Sequence, residues 1–302
     1  MQRRTALIAA AAAAAAPALL QARKAQAQEP VLKNIPALTS GWTDKFWTGP
    51  DGTKFHYCEA GRGVPVILIH GSGGTATNWM ANGLGMAVAK TNKVYALEMR
   101  GHGQTVGPDG KRQNRTPNMD LDVLAFMDAM GIKRAHIGGF SMGGSITGQM
   151  LARAPERFIT AHFGGSGLRE EGDWAKVVPK DKEGTSPFDA KARELYNGRA
   201  AAEAAKAGVA ATGTPQLSSQ PVPAAVARPA LDLSKVNFPI LVVAGEYDTP
   251  YSKSHRLWRE APNFKRVILK ERGHLSSYIA GMAPELYRDS LVELVTTNNS
   301  RA

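Results

Sequence analysis

The feature that most constrains this chain is a series of short apolar runs, each bounded by turn residues and separated from the next by a stretch with helical spacing. Residues 64–70, 93–98, 135–140, 158–163, 240–245 and 266–270 are too short for buried helices and too continuously apolar for half-exposed strands. Such runs suit strands covered on both faces of a parallel sheet. Residues 54–59 read as an edge strand. Residues 119–130 place Leu121, Val123, Leu124, Phe126 and Met127 mainly on one side of a helix, and 145–154, 252–260 and 285–295 are further helical stretches. Strand and helix in alternation predict an α/β fold, a mostly parallel central sheet flanked by helices. The 302 residues, 43% hydrophobic, suffice for one large domain or two small ones, and 31 Gly and 18 Pro exclude a collagen-like or mainly disordered chain.

Residues 168–233 break the alternation. They are charged, then Ala-rich over 190–211, then loose over 212–229, and they read as a helical cap with a flexible connector. The core is then 28–167 plus 234–302. Leu168, Trp174, Val177, Phe188 and Leu195 are expected to line the route to the site, and the two ends of the insertion to meet at the carboxyl edge of the sheet. At the N-terminus, Arg3 and Arg4 precede an apolar run over 6–20 and then Ala25-Gln26-Ala27. That pattern is a secretory signal over 1–27, cleaved after Ala27, and the arginine pair suits twin-arginine export. The run is shorter and more Ala-rich than a membrane span of about 20 residues. A periplasmic or secreted protein without stable membrane insertion is expected.

Gly139-Phe140-Ser141-Met142-Gly143 stands between a predicted strand and a predicted helix. A serine exposed on so tight a turn needs neighbours without side chains. Its hydroxyl is a poor nucleophile until an oriented base takes its proton. Of seven histidines, His274 follows a strand in a Gly-His turn, where a parallel sheet places its chemistry. His70 and His102 belong to other turns. His56, His136 and His162 fall within strands and His255 on a helix, where a structural role is expected. Asp248, after the strand at 240–244, is the acid that should orient His274, and Glu246 is its near competitor. Backbone N–H groups of Ser72, in His70-Gly71-Ser72-Gly73-Gly74, and of Met142 are the candidate oxyanion donors. The glycine loop lacks the lysine and the spacing of a phosphate cradle.

Residues 64–71, Trp79, Arg100-Gly101-His102-Gly103, the Ser141 turn, the Asp248 loop and Gly273-His274 come in the order of the α/β-hydrolase superfamily and resemble its cap-bearing esterase and lactonase-type members. The likeness covers roughly residues 42–295. It implies an α/β-hydrolase fold with an inserted cap, Ser141 as nucleophile, Asp248 and His274 as its partners, and no cofactor. Glu98 stands where relatives often carry Asp, and Gln104 follows the Arg-Gly-His-Gly turn. Serine at the elbow separates the chain from relatives that use aspartate there, the haloalkane dehalogenases and epoxide hydrolases.

The leading expectation is a serine hydrolase cleaving a small-molecule carboxylic ester or lactone. Perhydrolysis of the cofactor-free haloperoxidase type and carbon–carbon bond hydrolysis are alternatives on the same triad, and a non-catalytic small-molecule binding protein is a different class. The net charge of +11 includes Arg3, Arg4, Arg23 and Lys24 of the leader. With no stripe of aromatic and basic residues, no nucleic-acid partner is expected. Cys58 is the single cysteine, so it has no disulfide or zinc partner of its own kind and reads as a semi-buried apolar residue. No metal is expected.

Overall fold

In the computed structural model, which describes residues 32–206 and 220–302, five of the six apolar runs become interior strands of one sheet, and the sixth, 266–270, falls in a partly buried edge strand rather than one covered on both faces. Its strands are β1 (Thr43–Thr48), β2 (Lys54–Ala60), β3 (Pro65–Ile69), β4 (Lys93–Leu97), β5 (Ala135–Phe140), β6 (Phe158–Gly164), β7 (Ile240–Gly245) and β8 (Phe264–Leu269). They lie in the order β1-β2-β4-β3-β5-β6-β7-β8, parallel from β4 to β8, with β2 antiparallel to both β1 and β4. Every residue of β5, β6 and β7 is buried, which is why their sequences run apolar without alternating.

The helices are α1 (Thr77–Ala81), α2 (Leu84–Val88), α3 (Met119–Ala129), α4 (Met142–Arg153), α5 (Asp189–Lys206), α6 (Pro250–Glu260) and α7 (Glu285–Thr296). Phe126 and Met127 of α3 and Ile146, Met150 and Leu151 of α4 meet Ile67, Ile137, Phe163 and Val242 of the sheet in the main core. Residues Lys33–Ala302 make one compact unit. Among the described residues no helix is long and apolar enough to cross a membrane.

Three expectations need correction. Residues 54–59 are not the edge, because β1 pairs outside them in register Thr43↔Glu59 to Thr48↔Lys54. β1 escaped notice because five of its six residues are exposed and its apolar signal is limited to Phe46-Trp47. The helix expected to start at residue 145 starts at Met142, directly after the serine. Finally, β6 and β7 are parallel neighbours, so a chain leaving the carboxyl end of β6 must return to the amino end of β7. The two ends of the inserted segment therefore lie at opposite ends of the strands, and Leu168, Leu231 and Leu233 all pack into the main core.

Of that segment, residues 168–206, with α5, and 220–233 are described, whereas 207–219, and with them part of the Ala-rich and loose stretches, lie outside the described residues. So does the leader expected at 1–27. Polar contacts hold the segment down. Glu170 takes Arg259 at 2.9 Å and His255 at 2.7 Å, Asp181 accepts the N–H groups of Tyr251 and Ser252 at 2.8 and 3.0 Å, and Arg228 reaches Asp120 at 3.1 Å. Ala192 of α5 packs with Ile279 and Met282, flanked by Phe188, Leu195 and Tyr196.

Candidate active site

The turn after β5 is built by contacts that only glycine allows. A Cβ on Gly139 would lie 2.3 Å from the Gly143 carbonyl carbon, and one on Gly143 would lie 2.1 Å from the Ile69 carbonyl oxygen. Helix α4 is thereby pressed against the ends of β3 and β5, and Ser141 takes up the bend with φ 52°, a left-handed value that a side chain adopts only at a cost. Its N–H donates to the Gly164 carbonyl at 2.8 Å, which pins the turn to β6. Ser141 thus heads a helix at the carboxyl end of the sheet, with the unbonded N–H groups of the first turn beside it.

His274 meets it from the far side of β6. The His274 Nδ1 lies 2.9 Å from Asp248 Oδ2, and Gly165, with φ 55°, leaves the imidazole room that a Cβ would take, at 3.1 Å from the ring. The imidazole lies against Phe140, 4.7 Å between ring centres, and Phe140 is stacked on Tyr278 at 4.0 Å. The rival acid is placed elsewhere: Glu246 pairs with Lys182 at 3.1 Å and accepts the Glu271 N–H at 2.9 Å, bonds that hold its carboxyl below the usual range.

Ser141 and His274 open into one cavity of about 650 Å³, lined also by Met119, Met142, Ile146, Gln149, Arg169 and Lys253 among others. Sequence reasoning missed Lys253, whose ammonium pairs with the other oxygen of Asp248. Burial pushes that ammonium down and Asp248 resists the shift. Gly165, Ser166 and Gly167 were missed too, although a run of small residues at the end of a parallel strand is a legible signal. Leu168, Trp174, Val177, Phe188 and Leu195 do not line this cavity. Trp174 and Val177 are exposed, the former against Arg259, Phe188 lies on Arg272, and the two leucines pack on apolar clusters.

The glycine loop after β3 lies alongside. A Cβ on Gly71 would come within 3.4 Å of the Ser141 Cβ. His70 is fully buried, accepts the Met99 N–H at Nε2 (3.1 Å) and so carries its proton on Nδ1, which donates to the Gly71 carbonyl at 2.7 Å. Burial pushes its pKa well down, so it serves as a neutral clamp on the loop. Ser72 presents its carbonyl to the Tyr196 hydroxyl of α5 and its Oγ to Arg115 at 2.6 Å. The remaining histidines make internal bonds: His56 with Glu98 and Asp44, His102 on the Arg100 carbonyl at 2.9 Å, His136 on Thr160 at 2.8 Å, His162 on Tyr287 at 2.9 Å and His255 on Glu170 at 2.7 Å, although the buried His102 Nε2 and His162 Nδ1 have no partner among the described residues.

Residues 64–195 match a family model described as alpha/beta hydrolase fold. The chain is 38% identical over 111 residues to a dihydrolipoyllysine-residue acetyltransferase component of the acetoin cleaving system of Cupriavidus necator, over 36% of this chain and 29% of that protein. It is 30% identical over 169 residues to a 2-hydroxy-6-oxononadienedioate/2-hydroxy-6-oxononatrienedioate hydrolase of Paraburkholderia xenovorans, over 53% of this chain and 56% of that one. The matches thus span between about a quarter and just over half of the curated relatives' own lengths. Among solved structures, a carboxylesterase of Bacillus subtilis is similar with a TM-score of 0.57 at 20% identity, over 85% of this chain and 92% of that one. At that identity the likeness is one of fold.

Proposed function

We propose that this chain, which has the alpha/beta hydrolase fold, is a serine hydrolase cleaving a small-molecule carboxylic ester or lactone. The observation that carries the reading is Ser141, held in a strained elbow, opening into the same cavity as a histidine whose Nδ1 faces a carboxylate at 2.9 Å. In this reading His274 Nε2 takes the Ser141 proton as Oγ attacks the carbonyl carbon, and the N–H groups of Ser72 and Met142 receive the developing oxyanion. Collapse expels the alkoxide, which takes its proton from His274, and leaves an acyl-enzyme. Water, deprotonated by the same imidazole, then releases the acid. Asp248 keeps the proton of the neutral imidazole on Nδ1 and stabilises the imidazolium, while Lys253 fixes the carboxylate. None of these steps calls for a cofactor.

A second reading, hydrolysis of a carbon–carbon bond on the same residues, draws on the relatives named as 2-hydroxy-6-oxo-dienoate and -dienedioate hydrolases. Chromogenic esters of increasing acyl length, lactones and a 2-hydroxy-6-oxo-dienoate, assayed side by side, separate the two. Turnover of the last alone would overturn the ester reading, and loss of all turnover with retained ligand binding would favour a receptor. We further propose that the leader directs the protein out of the cytoplasm. Continued export after Arg3→Lys with Arg4→Lys would favour the general secretory route over the twin-arginine one.

A further inference from the structure

We propose that Asp44, His56 and Cys58 form a site for Zn²⁺ or a divalent cation of similar borderline character, at the β1–β2 corner of the sheet. The β1–β2 register sets Asp44 opposite Cys58 and Phe46 opposite His56, so the three side chains share one face of the ladder. Asp44 Oδ1 lies 3.1 Å from His56 Nε2 and 3.2 Å from Cys58 Sγ, and the three donor atoms lie within 4.8 Å of one another. Zinc bonds of about 2.0 Å to nitrogen and oxygen and about 2.3 Å to sulfur, set at tetrahedral angles, separate donors by about 3.3–3.5 Å. The two separations from Asp44 thus need only a few tenths of an ångström of widening, and the His56 nitrogen and Cys58 sulfur, within 4.8 Å of each other, complete a coordination face by settling at about 3.5 Å. One nitrogen, one sulfur and one oxygen are the donors zinc prefers, whereas calcium and magnesium require oxygen throughout.

The surroundings are those of a held ligand. The distal His56 Nδ1 lies 3.2 Å from Glu98, a carboxylate only 1% exposed that also accepts the Ala76 N–H at 3.1 Å. A ligating imidazole is oriented by such a carboxylate, which keeps the proton on Nδ1 and turns the Nε2 lone pair toward Asp44 and Cys58. His56 and Cys58 are fully buried and Asp44 is half-exposed, so a cation enters past Asp44 and its fourth position faces solvent. On binding, the thiol proton passes to solvent, the thiolate, carboxylate and imidazole each donate an electron pair, and nothing is oxidised or reduced. The rival arrangement is an imidazolium bridging Asp44 and Glu98 with no metal. The site is independent of the hydrolase chemistry.

Titration of the chelator-treated full chain with Co²⁺ tests it. The expected result is about one equivalent bound with a thiolate-to-cobalt absorption in the near ultraviolet, displaced by Zn²⁺, and a Tm raised by Zn²⁺. Cys58→Ser should abolish the band, and Asp44→Asn should weaken Co²⁺ binding by about tenfold or more. Asp44 is half-exposed on an edge strand, so its variant carries the test even where the cysteine variant fails to fold. A folded wild-type chain that gives no thiolate band, a band that survives Cys58→Ser, or binding indifferent to Asp44→Asn would overturn the proposal.

Discussion

The elbow at the end of β5 and the segment that covers it are held by opposite means. Around Ser141 the backbone closes on itself so tightly that Gly139 and Gly143 have no space for a methyl group. Over residues 168–233 the grip is made by side chains: Leu168, Leu231 and Leu233 anchor its ends in the core, and Glu170, Asp181 and Arg228 reach partners on α6 and α3, while most described positions of α5 are exposed. Backbone packing tolerates almost no displacement. The contacts of the segment run through side chains, and the carboxylates of Glu170 and Asp120 are buried, so losing a partner there would be felt, whereas the exposed positions of α5 carry little. Ser141 is thus fixed to a rigid frame, and the segment can vary most freely at the exposed positions of α5, away from its core leucines, its buried carboxylates and the Tyr196 contact with Ser72.

The comparison is sharpest at the elbow. Ser141→Ala should lower kcat by about 10⁴-fold or more and remove labelling by a fluorophosphonate, with the circular dichroism unchanged. Surviving label would place the nucleophile elsewhere. Asp248→Asn should cost a comparable factor on its own, about 10⁴-fold, because the histidine tautomer is lost. Glu246→Gln, whose carboxylate faces Lys182, should cost less than about tenfold, and equal losses would break the assignment.

Stability measurements extend it from site to scaffold. Gly143→Ala places a methyl 2.1 Å from the Ile69 oxygen and should cost more than about 3 kcal/mol in urea unfolding, since neither backbone can yield. Acid should weaken the same rigid frame. Burial holds His102 and His136 down to about 4 and His162 to about 3. Below the ordinary histidine value of about 6.5 the unfolded chain binds protons that the folded chain refuses. Stability should therefore fall as pH drops from about 6.5 to 4, by at least about 1.4 kcal/mol. Glu170, held below the usual range by Arg259 and His255, and Asp120, where Arg228 and Arg153 outweigh burial, work against protonation toward the acid end of that window. A flat profile would contradict the burial of these histidines. The smallest effect belongs to the cover: Gly198 lies in α5 with open space for 4 Å around the place a methyl group would take, so Gly198→Ala should stabilise by at most about 1 kcal/mol.

The parts of this molecule that were legible in its sequence are those where local chemistry and position coincide. The interior strands announced themselves because burial on both faces leaves them without charged residues at their centres and with only a few internally bonded polar ones, such as His136 and Thr160. Ser141 did so because its bend demands glycine on both sides, and Asp248 and His274 because each directly follows a strand. What stayed hidden depends on pairing between distant segments. β1 is mostly exposed, and Phe46-Trp47 is too short an apolar signal to mark a strand over 43–48, so without the pairing the approach of Asp44 to His56 and Cys58 is invisible. Lys253 sits one helical turn beyond Asp248, and only the fold of α6 turns it back onto that carboxylate. The cover misled for a related reason: Trp174 and Val177 look like lining by hydrophobicity alone, whereas one caps an arginine and both face water.

The parallel pairing of β6 with β7 carries a lesson for anyone who would transplant the cover between relatives. Since the chain must travel the height of the sheet before β7 begins, the graft is not a plug lifted from one rim but a strap running down the flank of the sheet. A splice that cuts at 168 and 233 removes Leu168, Leu231 and Leu233, three anchors of the main core, along with the part meant to be exchanged. Junctions placed just after Leu168 and just before Leu231 keep those anchors with the recipient. Chimeras made that way inherit a new entrance on an unaltered foundation.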